Sequence, residues 1–308
     1  MLSGSPQNIY EGNWLVLGAS GFVGHTTCRE LKSRQYNVTE VFHSEIELKI
    51  DQADMNEVHR TVDVDNDGVL RELFGEIQPV ILINAVGHPS NIAPSAMREF
   101  YHRSTLNVLS AVQKETPQCR VILLGSAAEY GNSPKSGSRE QDTPKPLSEY
   151  GWAKVLQSEL ASRFISDGLD IITARLFNPI GPSQDGRAFA GALMKRIRAG
   201  EGSLRVDNAN YLRDWIDIRD VARALVILGM AADPPPIVNI CTGKSVSVGE
   251  LAAKIATLAR VEIKAISTEI SPECLWRSVG NPELMQNFDW RPQYTLEQSL
   301  LDQWRSLA

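Results

Sequence analysis

With 308 residues, 43% of them apolar and 22% charged, the chain has the composition of an ordinary globular protein, long enough for one large α/β domain and a smaller lobe. Its net charge of -6 argues against nucleic acid as a partner, because phosphate binding takes clustered Lys and Arg. The four cysteines, Cys28, Cys119, Cys241 and Cys274, lie far apart and form no CxxC pair, so no metal site or disulfide framework is expected and a reducing compartment fits. The residues before Trp14 show neither a basic n-region nor an apolar h-region, and no stretch approaches 18 uninterrupted apolar residues, so a cytoplasmic protein with no membrane partner is expected.

In chain order, the apolar run Trp14 to Leu17 leads into glycines and then a helical pattern around Thr26 to Leu31, which reads as strand, tight turn and helix. Further short apolar runs follow at Val38 to Phe42, Val80 to Ile83, Val121 to Leu124 and Ile171 to Ala174, separated by helix-length amphipathic segments. Short buried strands alternating with helices predict a doubly wound parallel sheet of the Rossmann type in an α/β protein. After Asn178-Pro179 the texture changes to Gly, Pro and Ser, which places a boundary at residue 177 between a first domain (1–177) and a smaller α/β lobe (178–308) interleaved with it. Helices are predicted there over Phe189 to Ala199, Val221 to Met230, Val248 to Ala259 and Leu296 to Leu307, with strands at Ile237 to Ile240 and Glu262 to Ile266.

Gly18-Ala19-Ser20-Gly21-Phe22-Val23-Gly24 is a GxxGxxG set between a strand and a helix. Its glycines allow a tight turn and close backbone approach, so that a pyrophosphate can sit on the helix N-terminus, with Gly18, Ser20, Gly21, Phe22, Val23 and Gly24 as candidate cofactor contacts. At the end of the second strand, where NAD enzymes carry an acid for the ribose 2′-hydroxyl, this chain has His43 and Ser44, flanked by Glu40 and Glu45. The expectation is NADP ahead of NAD. Asp63, followed by Val64 after a third strand, is placed to accept from the adenine amino group or to cap a turn. Ala85, just past the run Val80 to Ile83, completes the cofactor set.

Tyr150 and Lys154 stand one helical turn apart on one face, and the ammonium is expected to lower the phenol's pKa for acid/base work. Ser126 ends the strand beginning at Val121, at the edge where doubly wound sheets bind ligands.

The set GASGFVG, LLGSAAEYG, YGWAK, RLFNPIGP and RDWIDIRDVARAL resembles the extended short-chain dehydrogenase/reductase family along nearly the whole chain. The resemblance implies that Ser126 binds the reacting oxygen, that Tyr150 gives or takes the proton, and that Lys154 binds the nicotinamide ribose and tunes the tyrosine. It also implies that Asn178 contacts the phosphosugar and that Arg213 holds the diphosphate of a nucleotide-diphosphate sugar. Read without the resemblance, Asn178 before a proline is a turn residue and Arg213 beside Asp214 is a surface ion pair. Two departures bear on the proton relay: Leu17 stands where the family often has Thr, and Tyr101 where a helix Asn is common. Family habit further implies a homodimer through helices near 93–115 and 148–164.

The dehydratases of this family carry a Glu at the second position before the Tyr of their Tyr-Gly pair; here that position is Ala128, preceded by Ala127. Ala128-Glu129-Tyr130-Gly131 and the stretch Tyr211 to Val221 look most like ketosugar reductases of the GDP-4-keto-6-deoxy-mannose type. The expected function is therefore an NAD(P)-dependent reductase of a 4-keto nucleotide-diphosphate sugar. A 4-epimerase with bound NAD is the runner-up, ahead of a dehydratase. A regulator that senses NAD(P) without turnover would have no use for the Tyr and Lys retained here.

Overall fold

Runs such as Trp14-Leu15-Val16-Leu17 carry no polar alternation, which suits strands covered on both faces. The computed structural model describes residues 12–43, 59–87, 92–184, 186, 188–201, 205–262, 264–265 and 276–307. Its main sheet contains β1 (Trp14–Leu17), β2 (Val38–Phe42), β3 (His59–Thr61), β4 (Ile81–Asn84), β5 (Arg120–Ser126), β6 (Ile171–Leu176) and β11 (Ile237–Ile240). The strands run parallel in the order β11-β6-β5-β4-β1-β2-β3, so the direction of winding reverses between β1 and β4. This is the doubly wound sheet expected, extended at one edge by β11.

The period of two along β1 decides which core each residue enters. Trp14 and Val16 face a cluster shared by helix α1 (Phe22–Ser33) and helix α6 (Ile218–Met230). Leu15 and Leu17 face the opposite cluster, built with α2 (Asp67–Ile77), α3 (Met97–Glu115) and α4 (Glu149–Ser166). Because β11 and α6 follow residue 177, the chain returns to the large sheet after entering the second lobe.

That lobe has its own core, in which α5 (Phe189–Arg198), α7 (Val248–Ala259) and α9 (Leu296–Ser306) bury Leu193, Leu251 and Leu300 among others. Short strand pairs frame it. Strand β7 (Pro179–Ile180) pairs with β10 (Ile216–Asp217), and β8 (Arg205–Val206) with β13 (Lys264–Ala265). Strand β9 (Leu212–Asp214) lies between β12 (Ser245–Ser247) and β14 (Arg277–Ser278), and a single turn, α8 (Glu283–Gln286), precedes α9.

Helix α6 begins at Ile218 rather than at Val221, because the Asp217 carboxylate accepts from Arg219 N and caps the first turn. Of the strand predicted over Glu262 to Ile266, Lys264–Ala265 is extended, and Ile263 and Ile266 lie outside the described residues. Among the described residues no helix is long and apolar enough to cross a membrane.

Candidate active site

Parallel registry places the residues that follow each strand along one edge of the sheet. Leu17 aligns with Val41 and with Asn84, and Phe42 with Thr61. Gly18, His43, Asp63 and Ala85 therefore share that edge with Ser126, the last residue of β5. Gly18 takes a φ of +75°, and a Cβ there would meet the Ala85 carbonyl oxygen at 2.7 Å. A Cβ on Gly24 would lie 2.1 Å from the Gly18 carbonyl oxygen, so the strand and helix close on each other only without side chains. Gly21 is the N-cap of α1 and no side chain caps that end, which leaves first-turn amides for an anion. Ser20 and Phe22 flank this turn.

His43 follows β2 directly and is exposed. Glu40 sits inside β2 and is held by Lys32 at 2.8 Å, while Ser44 and Glu45 lie outside the described residues. The Asp63 carboxylate accepts from Asp65 N at 2.9 Å, as a turn-forming aspartate does. Val64 is buried in the core beside α3, and its carbonyl accepts from Asn107 Nδ2 at 3.1 Å.

A cleft of about 460 Å³ opens at the same edge, between the sheet and the second lobe. It gathers Val23, Ala85, Ser126, Tyr150, Lys154, Asn178 and Arg213, residues distant in sequence. Tyr150 is hydrogen-bonded to Ser126, whose oxygen also accepts from Ala128 N at 3.1 Å. Lys154 Nζ donates to the Leu124 carbonyl at 2.7 Å and to Gln157 Oε1 at 2.8 Å. One expectation is reversed: burial raises the Tyr150 phenol above its ordinary value, while the bond to Ser126 pulls it back. The Lys154 ammonium stands over the Tyr150 ring at 6.0 Å from its centre and donates to Leu124 and Gln157, and the desolvation of the phenol outweighs its attraction. Burial also lowers Lys154 to about 7, against the pull of Glu129.

Beneath Ser126 lies a buried polar cluster. Glu129 is fully buried; it accepts from Ser126 N at 2.9 Å, Ser158 Oγ at 2.8 Å and Arg175 Nε at 2.9 Å. Arg175 in turn covers the Tyr130 ring at 4.5 Å.

The cleft continues past Asn178 and Arg213 into a wider space of about 710 Å³, bordered by Phe22, Phe189, Tyr211 and Trp215. Asn178 Nδ2 donates to the Asp214 carbonyl at 3.0 Å, so the amide tethers the second lobe while still lining the cleft. The surface ion pair between Arg213 and Asp214 is not present. Asp214 is fully buried and accepts from Thr242 N and Oγ1, Gly243 N and Gly280 N. Arg213 instead packs over the stacked rings of Tyr211 and Trp276, at 5.8 and 5.5 Å, with burial lowering its pKa. A half-buried guanidinium lining a cleft, with no carboxylate in ion-pair reach among the described residues, is suited to an anionic ligand.

Sequence reasoning missed Trp276 and Ser278, which also line the cleft. They reach it because two-residue β14 pairs Ser278 with Arg213. A strand that short leaves no periodic signal.

A family model described as the NAD dependent epimerase/dehydratase family matches residues 14–241, about three quarters of the chain. This chain belongs to that family. Among its relatives, the dTDP-6-deoxy-L-talose 4-dehydrogenase (NAD(P)(+)) of Kitasatospora kifunensis is 24% identical over 94% of this chain and 93% of its own. The GDP-6-deoxy-D-mannose reductase of Pseudomonas aeruginosa is 27% identical over 66% of this chain and 71% of its own. Among solved structures, dTDP-glucose 4,6-dehydratase of Bacillus anthracis in complex with NAD superposes with a TM-score of 0.84 at 21% identity, covering 96% of both chains. Likeness at that identity carries the epimerase/dehydratase fold and leaves the reaction to the residues of the cleft.

Proposed function

We propose that this epimerase/dehydratase family member is an NADP-preferring reductase of a 4-keto nucleotide-diphosphate sugar, with Tyr150 as the proton donor. The reading is carried by what borders the reacting end of the cleft. Beside Ser126, Tyr150 and Lys154 stand Ala127, Ala128 and Gly131, and no carboxylate lines that space among the described residues. Eliminating water from a sugar takes an acid/base poised at carbon, whereas reduction takes a hydride, a proton and positioning. Glu129, next in sequence to Ala128, is occupied by Ser126 N, Ser158 and Arg175.

The uncapped start of α1 fits a pyrophosphate, and Val23, Ala85 and Lys154 border the space beyond it. When bound there, the reduced nicotinamide supplies the hydride. Ser126 holds the ketone oxygen, Tyr150 gives up its proton as charge grows on that oxygen, and the Lys154 ammonium stabilises the phenolate left behind. A phenol kept protonated by burial suits this direction; an epimerase first removes a proton from a hydroxyl and needs the phenolate. Both sequence relatives act, by name, on nucleotide-linked 6-deoxy sugars, which supports the substrate class.

Following cofactor absorbance with a panel of 4-keto nucleotide sugars tests the reaction. Stoichiometric cofactor oxidation is expected, and interconversion of 4-epimers without net oxidation would replace the reductase by an epimerase. For the cofactor, exposed His43 after β2 and the engagement of Glu40 by Lys32 leave no described acid at the 2′-position. NADPH is expected to bind more tightly than NADH; titration showing NADH ten-fold tighter, about 1.4 kcal/mol, would reverse the preference. For the substrate, Arg213→Ala is expected to weaken nucleoside diphosphate binding by about 1.5–3 kcal/mol, the worth of a charged hydrogen bond. Unchanged affinity in calorimetry would make Arg213 a purely structural residue of the Tyr211–Trp276 stack.

A further inference from the structure

Lys154 is buried on α4, with three N–H bonds to place and no carboxylate in ion-pair reach among the described residues. Each bond has a partner from a different direction. The Leu124 carbonyl of β5 lies at 2.7 Å, Gln157 Oε1 one turn along α4 at 2.8 Å, and the centre of the Tyr101 ring on α3 at 4.2 Å. Gln157 and Tyr101 are each only 3% exposed, and Tyr101 also meets the Tyr150 ring edge-on at 6.0 Å. The charged or titratable groups facing the ammonium are Tyr101 from α3, Tyr150 from α4 and Glu129 from the turn after β5. Glu129 is itself neutralised by Arg175 of β6 at 2.8 Å.

A buried ammonium sheds its proton unless dipoles or a π face replace the water it has lost. Leu124 contributes a backbone carbonyl, which any sequence would supply. Gln157 and Tyr101 are side-chain choices. We propose that Gln157 and Tyr101 are positioning residues that clamp Lys154 as an aimed ammonium beside Tyr150, and so set the pH above which reduction fails. The proposal rests on reading Tyr150 and Lys154 as the catalytic pair. Gln157 holds the ammonium with an oxygen that neither gains nor loses a proton near neutrality. The Tyr101 ring attracts the cation but cannot carry a proton away through its face. Proton exchange with Tyr150 is thereby confined to the cleft side, where Ser126 stands.

The test replaces each clamp by a group of known sign. Gln157→Leu removes the acceptor, which favours the neutral amine, so the midpoint of the high-pH fall in kcat/KM moves down by about one pH unit. Gln157→Glu puts a carboxylate at the same place and moves the midpoint up by a similar amount. Tyr101→Leu removes the π face and moves it down, while Tyr101→Phe keeps the face and leaves it near the wild-type value. The same ordering is read without turnover from the Cε carbon shift of Lys154 in cofactor-free protein labelled at lysine, assigned with Lys154→Met. A merely structural glutamine gives equal, unsigned losses for Leu and Glu, and such a result overturns the proposal. If Tyr150→Phe turns over like wild type, the catalytic reading fails by itself, and the lysine titration still decides whether Gln157 and Tyr101 hold the ammonium.

Discussion

Tyr150→Phe is expected to cut turnover about 10²–10⁴-fold while leaving folding and cofactor affinity in place, because it removes one hydroxyl and no packing. The phenol is the group in the cleft that both contacts Ser126 and is held protonated by its surroundings. Without it, the oxygen that receives charge from hydride transfer keeps its hydrogen bond to Ser126 and loses the proposed proton donor. Ser126→Ala is expected to cost less, since it removes a hydrogen bond rather than the acid. Lys154→Met is expected to lower turnover, since it removes the charge proposed to stabilise the phenolate. The pH profile follows from the two directions of shift. Burial keeps the Tyr150 proton on through neutrality, whereas Lys154 loses its proton at about 7. The charge that stabilises the phenolate is therefore present below that value and lost above it, and kcat/KM for reduction, which reports the free enzyme, should fall as pH rises through about 7. Steady-state assays with a 4-keto nucleotide sugar check each point, and equal rates for wild type and Tyr150→Phe would remove Tyr150 from the mechanism.

The parts of this site that the sequence displays are those whose spacing is local. Gly18 and Gly24 must be small because the Ala85 and Gly18 carbonyls leave no room, and Tyr150 and Lys154 share a face because four residues make about one helical turn. The long strands are visible for the same kind of reason: buried on both faces, they appear as unbroken apolar runs. Burial and partner choice are not local. The fate of the Lys154 ammonium depends on Tyr101, 53 positions earlier on α3, and on a carbonyl of β5. Its proximity to Tyr150 suggested a lowered phenol, yet desolvation of both groups outweighs that pull in the folded chain. Arg213 beside Asp214 looks like a pair on paper, and alternation along β9 sends one to the cleft and the other into a nest of backbone amides. Trp276 and Ser278 come to the cleft through a two-residue strand that no pattern announces.

Glu129→Ala is expected to destabilise the protein by about 3–5 kcal/mol, the cost of leaving the other member of a buried ion pair uncompensated. Arg175 is 2% exposed and its guanidinium meets Glu129 at 2.8 Å, so without the carboxylate its charge has lost its counter-ion in the interior. Ser158 Oγ and Ser126 N lose their acceptor in the same step. Removing both charges with Glu129→Ala and Arg175→Met should cost clearly less than the two single changes added together, because the double variant buries no lone charge. Urea denaturation of the four proteins measures this coupling, and single variants that sum to the double would mean the pair contributes nothing as a pair. Activity distinguishes support from chemistry. Glu129 does not line the cleft and touches it through the backbone N–H of Ser126, so Glu129→Gln, which retains an oxygen for that N–H, should keep a substantial part of the turnover of wild type below neutrality, with the high-pH fall moved down because Lys154 loses the pull of the carboxylate. Loss of turnover as deep as that of Tyr150→Phe, in a Glu129→Gln protein that still folds and binds cofactor, would instead make this carboxylate a proton-transfer group and return the dehydratase reaction to consideration.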